Sequence, residues 1–210
     1  MRFTLVACLL TLSLLNPAVA AAAHPAQEVV KTTAKEVLER LREDQQELKA
    51  NPEKIYSLVY EKIIPHFDFK NMSKWVLGRN WRGATEAQQQ QFTREFQVLL
   101  VRTYAKSLLQ YADQEIKYAP VNDDPDSELV TVRTEVQQSG SSSIPINYKM
   151  HQVDAEWQVV DVSVNGVSLV STYRGSFASE VRRGGIESLL SKLEQRNAES
   201  NAALGTDGGE

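Results

Sequence analysis

The chain has 210 residues, 42% of them hydrophobic, with 23 basic residues against 27 acidic ones and a formal net charge of −4. That balance argues against a general nucleic-acid binder, which needs a basic footprint, and the length suits one domain with a sizeable core. A single cysteine, Cys8, leaves no disulfide framework to build on.

The first twenty residues read as an export signal. Arg2 supplies the positive start, Phe3 to Leu15 form a short apolar stretch, Asn16-Pro17 breaks it, and Ala18-Val19-Ala20 is a small-residue cleavage site. The stretch is shorter than the roughly 17–25 residues a membrane span requires. Cys8 lies inside it, too early for a lipoprotein modification site. Cleavage therefore leaves no cysteine, which excludes thiol chemistry and cysteine metal sites. It removes one basic residue, Arg2, and no acidic one. No later stretch approaches spanning length, so a soluble exported domain without disulfides is expected over residues 21–197, ahead of a disordered glycine-rich tail at 198–210.

Helices come first. Val29, Val30, Ala34, Val37, Leu38 and Leu41 recur at helical spacing between Gln27 and Lys49. Asn51-Pro52 restarts the chain, with Ile55, Leu58, Val59 and Ile63 as a stripe that Pro65 ends. Asp68 caps a short helix carrying Phe69, Met72, Trp75, Val76 and Leu77, and Gly78 stops it. Thr85-Glu86-Ala87-Gln88 is a capping box opening a long helix with Phe92, Phe96, Leu99, Leu100, Tyr104, Leu108 and Tyr111.

The period then changes from helical to two. Ile116 to Val121 is a strand, and Asn122 to Asp126 a turn. Val130, Val132 and Val136 alternate with Thr131, Arg133 and Glu135 in the next strand. Past a turn at Ser139-Gly140-Ser141, Ile144, Ile146, Tyr148 and Met150 form one face. Asp154-Ala155 turns the chain into Trp157 to Val164, where Val160, Val162 and Val164 share a face. Asn165-Gly166 closes this meander of four antiparallel strands. Leu169, Val170, Tyr173, Phe177 and Val181 form a helix, Gly184-Gly185 bends it, and Ile186, Leu189, Leu190 and Leu193 make the last one. Helices, a sheet and helices again predict an α+β fold.

Catalytic signals are few. His24 lies beside the cleavage site on a loose terminus, His66 follows Pro65 at a helix end, and His151 falls on the polar face of its strand. None has metal-ligand spacing, so neither a metal site nor a catalytic residue is expected. Gly166-Val167-Ser168-Leu169-Val170 lacks the final glycine of a nucleophile elbow, and Ser168 reads as a helix N-cap. Asp161 runs out of phase with Val160 and Val162 and reads as solvated. The aliphatic sheet face suits either a filled core or an unfilled cup between sheet and helices, and periodicity does not separate them.

Two segments bear on this. One is Gly78-Arg79-Asn80-Trp81-Arg82-Gly83-Ala84-Thr85 with Gln89, Phe92, Phe96, Leu99, Leu100 and Thr103-Tyr104-Ala105. The other runs Val160-Asp161-Val162, Gly166 to Val170, Tyr173-Arg174, Phe177, Val181 to Gly185 and the helix at Leu189 to Leu193. In order and spacing both resemble the MlaC family, the toluene-tolerance auxiliary proteins, over residues 27–197. The resemblance implies a twisted antiparallel sheet of about four strands wrapped by helices, enclosing an apolar lipid pocket.

It also implies a periplasmic carrier, needing no cofactor, of diacyl phospholipid. Its partners would be an inner-membrane ABC transporter bearing an MCE domain and an outer-membrane lipoprotein–porin complex, and a monomer is expected. On that reading the tails meet Val130, Val132, Ile144, Ile146, Tyr148, Val160, Val162 and Val164 of the sheet. From the helices they meet Phe92, Phe96, Leu100, Tyr104, Leu169, Tyr173 and Phe177. Each of these also suits plain core. Arg79, Arg82 and Arg174 suit head-group or partner contact, or a structural ion pair. Two other classes stay open: a small-ligand enzyme on a cone-like fold using Asp161 or Tyr173, and a chaperone-like module with exposed apolar helix faces.

Overall fold

A computed structural model describes residues 23–123, 127–138, 140 and 142–205. The export signal with Cys8, the centre of the turn at Asp124 to Asp126, the turn residues Ser139 and Ser141, and the last five residues lie outside the described part.

Seven helices and five strands make an α+β domain among the described residues. Helix α1 (Pro25–Glu43) is followed after Asp44 by the short α2 (Gln45–Ala50), so the first stripe holds one bend. Pro52 opens α3 (Pro52–Lys62), where its missing N–H costs nothing, and a 3-10 turn at Ile64–His66 follows. Helix α4 (Phe69–Leu77) is capped by Asp68, which accepts from the Asn71 N–H at 2.9 Å, and it ends at Gly78 with φ 54°. The short α5 (Arg79–Gly83) leads to α6 (Glu86–Tyr104), whose capping box of Thr85 and Gln88 forms as the spacing predicts. The one long helix expected to reach Tyr111 instead tightens into a 3-10 turn over Ala105–Tyr111.

The sheet is a meander in the order β1 (Glu115–Tyr118), β2 (Leu129–Gln137), β3 (Ile144–Val153), β4 (Glu156–Val164), β5 (Val167–Ser168), all pairs antiparallel. The fifth strand is only two residues long, too short to show a period. Asn165 and Gly166, at φ 51° and 79°, form the left-handed two-residue turn that folds it back on β4. One face carries Val130, Val132, Thr134 and Val136 of β2 opposite Met150, Tyr148, Ile146 and Ile144 of β3.

In β4 the alternation breaks. Lys149 pairs with Asp161, but Met150 pairs with Val159, so Val160 has no partner and bulges. The sequence places Val160 and Val162 on one face. The bulge instead sends Val160 to a different core, because one extra residue reverses which side the following positions face.

Three buried clusters result. The first joins α4, α5, α6 and α7 (Leu169–Gly205) around Phe92, Phe96, Leu99, Phe177, Leu189 and Val160. The second joins α1, α2, α3 and the end of α6, with Leu41, Ile55 and Val59 at its centre. The third lies on the sheet beneath the start of α1: Ala26, Val30, Val130, Val132, Met150 and Val159.

Helix α7 is bent at Gly185, as the glycine pair predicts, with φ 74° and ψ 179°. It continues to Gly205, where the glycine-rich composition predicted a disordered tail from Ala198. Alanine, glutamate and leucine in that stretch are good helix formers, which the tail's glycines obscure.

The backbone at Gly185 lies in a region open essentially to glycine alone. Gly185→Ala should therefore lower the unfolding free energy by about 1–3 kcal/mol. A urea titration would show this as a lower midpoint at unchanged slope.

Candidate lipid pocket

A cavity of about 180 Å3 lies between α1 and the sheet. One wall is α1: Val29, Val30, Thr33, Ala34, Val37, Leu38 and Leu41. The floor is Ile116, Val136, Ile146, Tyr148 and Val159 of the sheet. Ile63, His66 and Phe67 close one side, and Leu108 and Tyr111 of the second 3-10 turn close another. The small residues Thr33 and Ala34 leave the space, where larger ones would reach the floor.

Size makes this space informative. Protein interiors are packed to crystal density with few voids larger than water. An apolar space of about 180 Å3, open to the surface, is room that a filled core would not leave.

Helix α1 is tied at both ends. Gln27 donates to the Ala119 carbonyl at 2.7 Å, and Arg42 donates through Nε to the Ala112 carbonyl at 2.7 Å. His24, expected on a loose terminus, caps α1 through Nδ1 at 3.2 Å and packs edge-on against Trp157 at 5.2 Å.

The cavity's side at Phe67 is fixed by Asp68. Its N–H donates to the Val159 carbonyl at 3.0 Å, and Phe67 bridges to Val159 in parallel. The Asp68 carboxylate accepts from Asn71 N (2.9 Å) and Nδ2 (2.6 Å) and lies 2.9 Å from His151 Nε2. Burial by itself would raise this carboxyl, but the two Asn71 hydrogen bonds and His151 together hold it below its ordinary 3.8. His151 does lie off the cavity face, as its strand position predicts, yet it is engaged with Asp68.

The predicted pocket residues divide. Ile146 and Tyr148 line the cavity. Val130 and Val132 are fully buried in the sheet cluster, against which Tyr148 and Val162 pack. Ile144 and Val164 sit on the same face, half-buried, opposite Val136 and Ile146. Phe92, Phe96, Leu100, Val160 and Phe177 belong to the helical core, with Tyr173 packed on it. There Phe92 stacks on Phe96 at 5.7 Å, and Phe177 meets both edge-on at 5.7 and 6.0 Å. Tyr104 is 40% exposed and lies beside Tyr173. Leu169 is half-buried at the start of α7.

Arg174 donates through Nε to the Trp75 carbonyl at 2.8 Å and through a terminal nitrogen to the same oxygen. It satisfies one of the free carbonyls that end α4. Arg79 and Arg82 are exposed on α5.

Asp161, read from the sequence as solvated, accepts from Ser168 Oγ at 2.6 Å and from Val170 N at 3.1 Å. Ser168 in turn accepts from Ser171 N at 3.0 Å, the N-cap its position predicts. Asp161 and Ser168 thus start α7 together. Among the described residues no group of three potential metal ligands comes together, and no helix is long and apolar enough to cross a membrane.

The wall formed by α1 was not assigned from the sequence. Its apolar stripe is plain there, but a stripe does not say what it faces. Val136 likewise carries the right period without a sign of what lies above it, and Val159 reaches this face only through the bulge at Val160.

The sequence profile of the MlaC protein family matches residues 31–195. The toluene tolerance protein ttg2D of Pseudomonas putida is 30% identical over 178 residues, covering 84% of this chain and 82% of that protein. The intermembrane phospholipid transport system binding protein MlaC of Haemophilus influenzae is 22% identical, covering 92% and 91%. A phospholipid-binding protein from Ralstonia solanacearum, solved in complex with a phospholipid, superposes with a TM-score of 0.78 at 35% identity, covering 85% of this chain and 99% of that one.

Asp68 ionises more readily folded than unfolded, so it stabilises the fold fully above 3.8 and loses that contribution as pH falls through its lower folded value. Asp68→Asn should cost about 1 kcal/mol at neutral pH, and the gap from wild type should close in acid below that window. Thermal unfolding followed down the pH scale checks both.

Proposed function

The chain belongs to the MlaC protein family, and from that premise we propose that it is a periplasmic phospholipid-binding carrier. It takes up diacyl phospholipid with the tails in the cavity between α1 and the sheet, and moves it between outer-membrane and inner-membrane complexes to maintain outer-membrane lipid asymmetry. The observation that carries this reading is the apolar cavity itself, in a chain 35% identical to a protein seen with phospholipid bound. Its partners on this reading are the inner-membrane ABC transporter with its MCE domain and the outer-membrane lipoprotein–porin complex. Arg79 and Arg82 serve on this reading as contacts for an acidic partner surface or a head group, and their exposure on α5 supports it. Arg174 serves α4 instead.

The energetics suit a carrier. A buried methylene is worth about 0.8 kcal/mol, so every methylene of a tail that enters the pocket gains about that much over water. A bilayer offers the tails a similar gain. Exchange between bilayer and pocket is then nearly neutral, and the partners set its direction. Such a pocket requires apolar area and no reacting group. Asp161 and Tyr173, the residues an enzyme reading would use, are engaged in starting α7 and in the aromatic core.

Native mass spectrometry of the chain from Ala21 onward, purified from a bacterial periplasm without detergent, should show added mass that releases as intact diacyl phospholipid. A bare polypeptide that stays bare after incubation with liposomes overturns the reading. Ile146→Trp, which fills the cavity from its floor, should cut lipid occupancy several-fold, at a cost of about 1–3 kcal/mol in stability.

A further inference from the structure

We propose that His66 holds the phosphate of the bound phospholipid at the edge of the cavity, so that the chain prefers lipids with a phosphodiester head group over neutral lipids with the same tails. The inference rests on the carrier reading above and adds a head-group contact to it.

The cavity's lining is apolar but for four residues, Thr33, His66, Tyr111 and Tyr148. Three of these carry hydroxyls, and His66 brings the only side-chain nitrogen. No lysine, arginine, aspartate or glutamate is among the lining residues, and Arg79 and Arg82 lie elsewhere, on α5. A phosphodiester is an anion that can only accept hydrogen bonds. In this lining the imidazole is the nitrogen donor that can meet it.

Position suits that role. His66 is half-buried and the neighbouring Pro65 is exposed, so the cavity wall reaches the surface there. Tails that fill the apolar space leave their charged head at such an edge, because burying it deeper would cost too much. The mount is rigid. Proline fixes its own backbone angle, and the N–H groups of His66 and Phe67 donate to the carbonyls of Ile63 and Ile64 at 3.0 Å each. The Asp68 N–H is spent on Val159, and Phe67 stacks on Phe69 at 5.7 Å.

The chain has three histidines, and the other two spend a ring nitrogen within the protein. His24 accepts from the Ala26 N–H through Nδ1, and His151 meets Asp68 through Nε2. The ring of His66 bonds no group among the described residues. A neutral imidazole keeps one N–H to donate in either tautomer, so His66 has a donor to offer a phosphate oxygen. One such bond does not trap the lipid, since water at a bilayer surface replaces it.

The test loads the chain from Ala21 onward from vesicles holding equal parts of phosphatidylglycerol and diacylglycerol with the same tails, and reads the bound species by mass spectrometry. Wild type should favour phosphatidylglycerol by about tenfold, the scale of one hydrogen bond to a charged group. His66→Phe keeps a ring and loses both nitrogens. It should bring the ratio towards parity, through lost phosphatidylglycerol rather than gained diacylglycerol. His66→Gln restores an N–H donor and should recover part of the preference. A merely structural role for His66 would lower the melting temperature and reduce both lipids together. Should His66→Phe fail to fold, His66→Leu makes the same comparison. Excess inorganic phosphate should leave the wild-type ratio in place, because the tails hold the head group where it is. A preference abolished by inorganic phosphate marks a free-anion site and overturns the head-group assignment. So does the same ratio in loaded wild type and His66→Phe, which leaves the carrier standing. A wild type that takes up neither lipid overturns the carrier reading, and the His66 contact with it.

Discussion

One unpaired residue divides the interior of this protein. At Val160 the register between β3 and β4 slips by a single position. Val159 and Val162 stay with the sheet's inner face, while Val160 joins the core of α4, α6 and α7. A regular strand would have sent all three to positions fixed by strict alternation. Because the bulge serves both sides, β4 is welded to a helical core on one side while its other face is left for α1 to cover. Asp68 reinforces the junction at the same place, since its N–H bonds the Val159 carbonyl and its side chain starts α4.

The two sides are packed differently, and the difference has a physical sense. Around Phe92, Phe96, Tyr173 and Phe177 the rings stack or meet edge-on at 5.4 to 6.0 Å, and the phenylalanines are almost wholly buried. Rings in such contact add stability beyond the area they bury. Opposite them the inner sheet face meets α1 across a space that Thr33 and Ala34 leave open. A protein that must hold its shape while tails enter and leave does well to place its stability in one core and its binding surface against another. Were the aromatic cluster itself the pocket, each uptake of lipid would disturb the contacts that hold α6 to α7.

Much of this was legible in the sequence, and what was not has a common cause. The capping box at Thr85 and Gln88, the stop at Gly78, the turn at Asn165-Gly166 and the bend at Gly185 are local, and local rules find them. The alternating face of β2 and β3 is local too. Which buried face meets which helix is not local, and there the sequence is silent. Phe92 and Val130 carry the same apolar signal, yet one belongs to a closed helical core and the other to the cluster beside the cavity. The bulge at Val160 is invisible for the same reason: a run of valines reads the same in either register. The resemblance to a lipid-carrying family says that a pocket exists, and it does not say which of two apolar interiors holds it.

Polar residues inside apolar patterns turn out to be the more informative class. Asp161, out of phase with its strand, starts a helix through Ser168 and the Val170 N–H. Thr134, in phase with three valines, ends its hydrogen bond on the backbone of the neighbouring strand at Ile146. Neither faces water freely, and burying such groups is tolerable only because partners are in place. The consequence for a lipid pocket is specific. The cavity's lining is mostly hydrocarbon and ring edge. Such a surface holds hydrocarbon by area and contact more than by directional bonds. A carrier built this way can release its lipid as readily as it takes it up, since nothing in the pocket has to be broken except contacts that a bilayer replaces in kind.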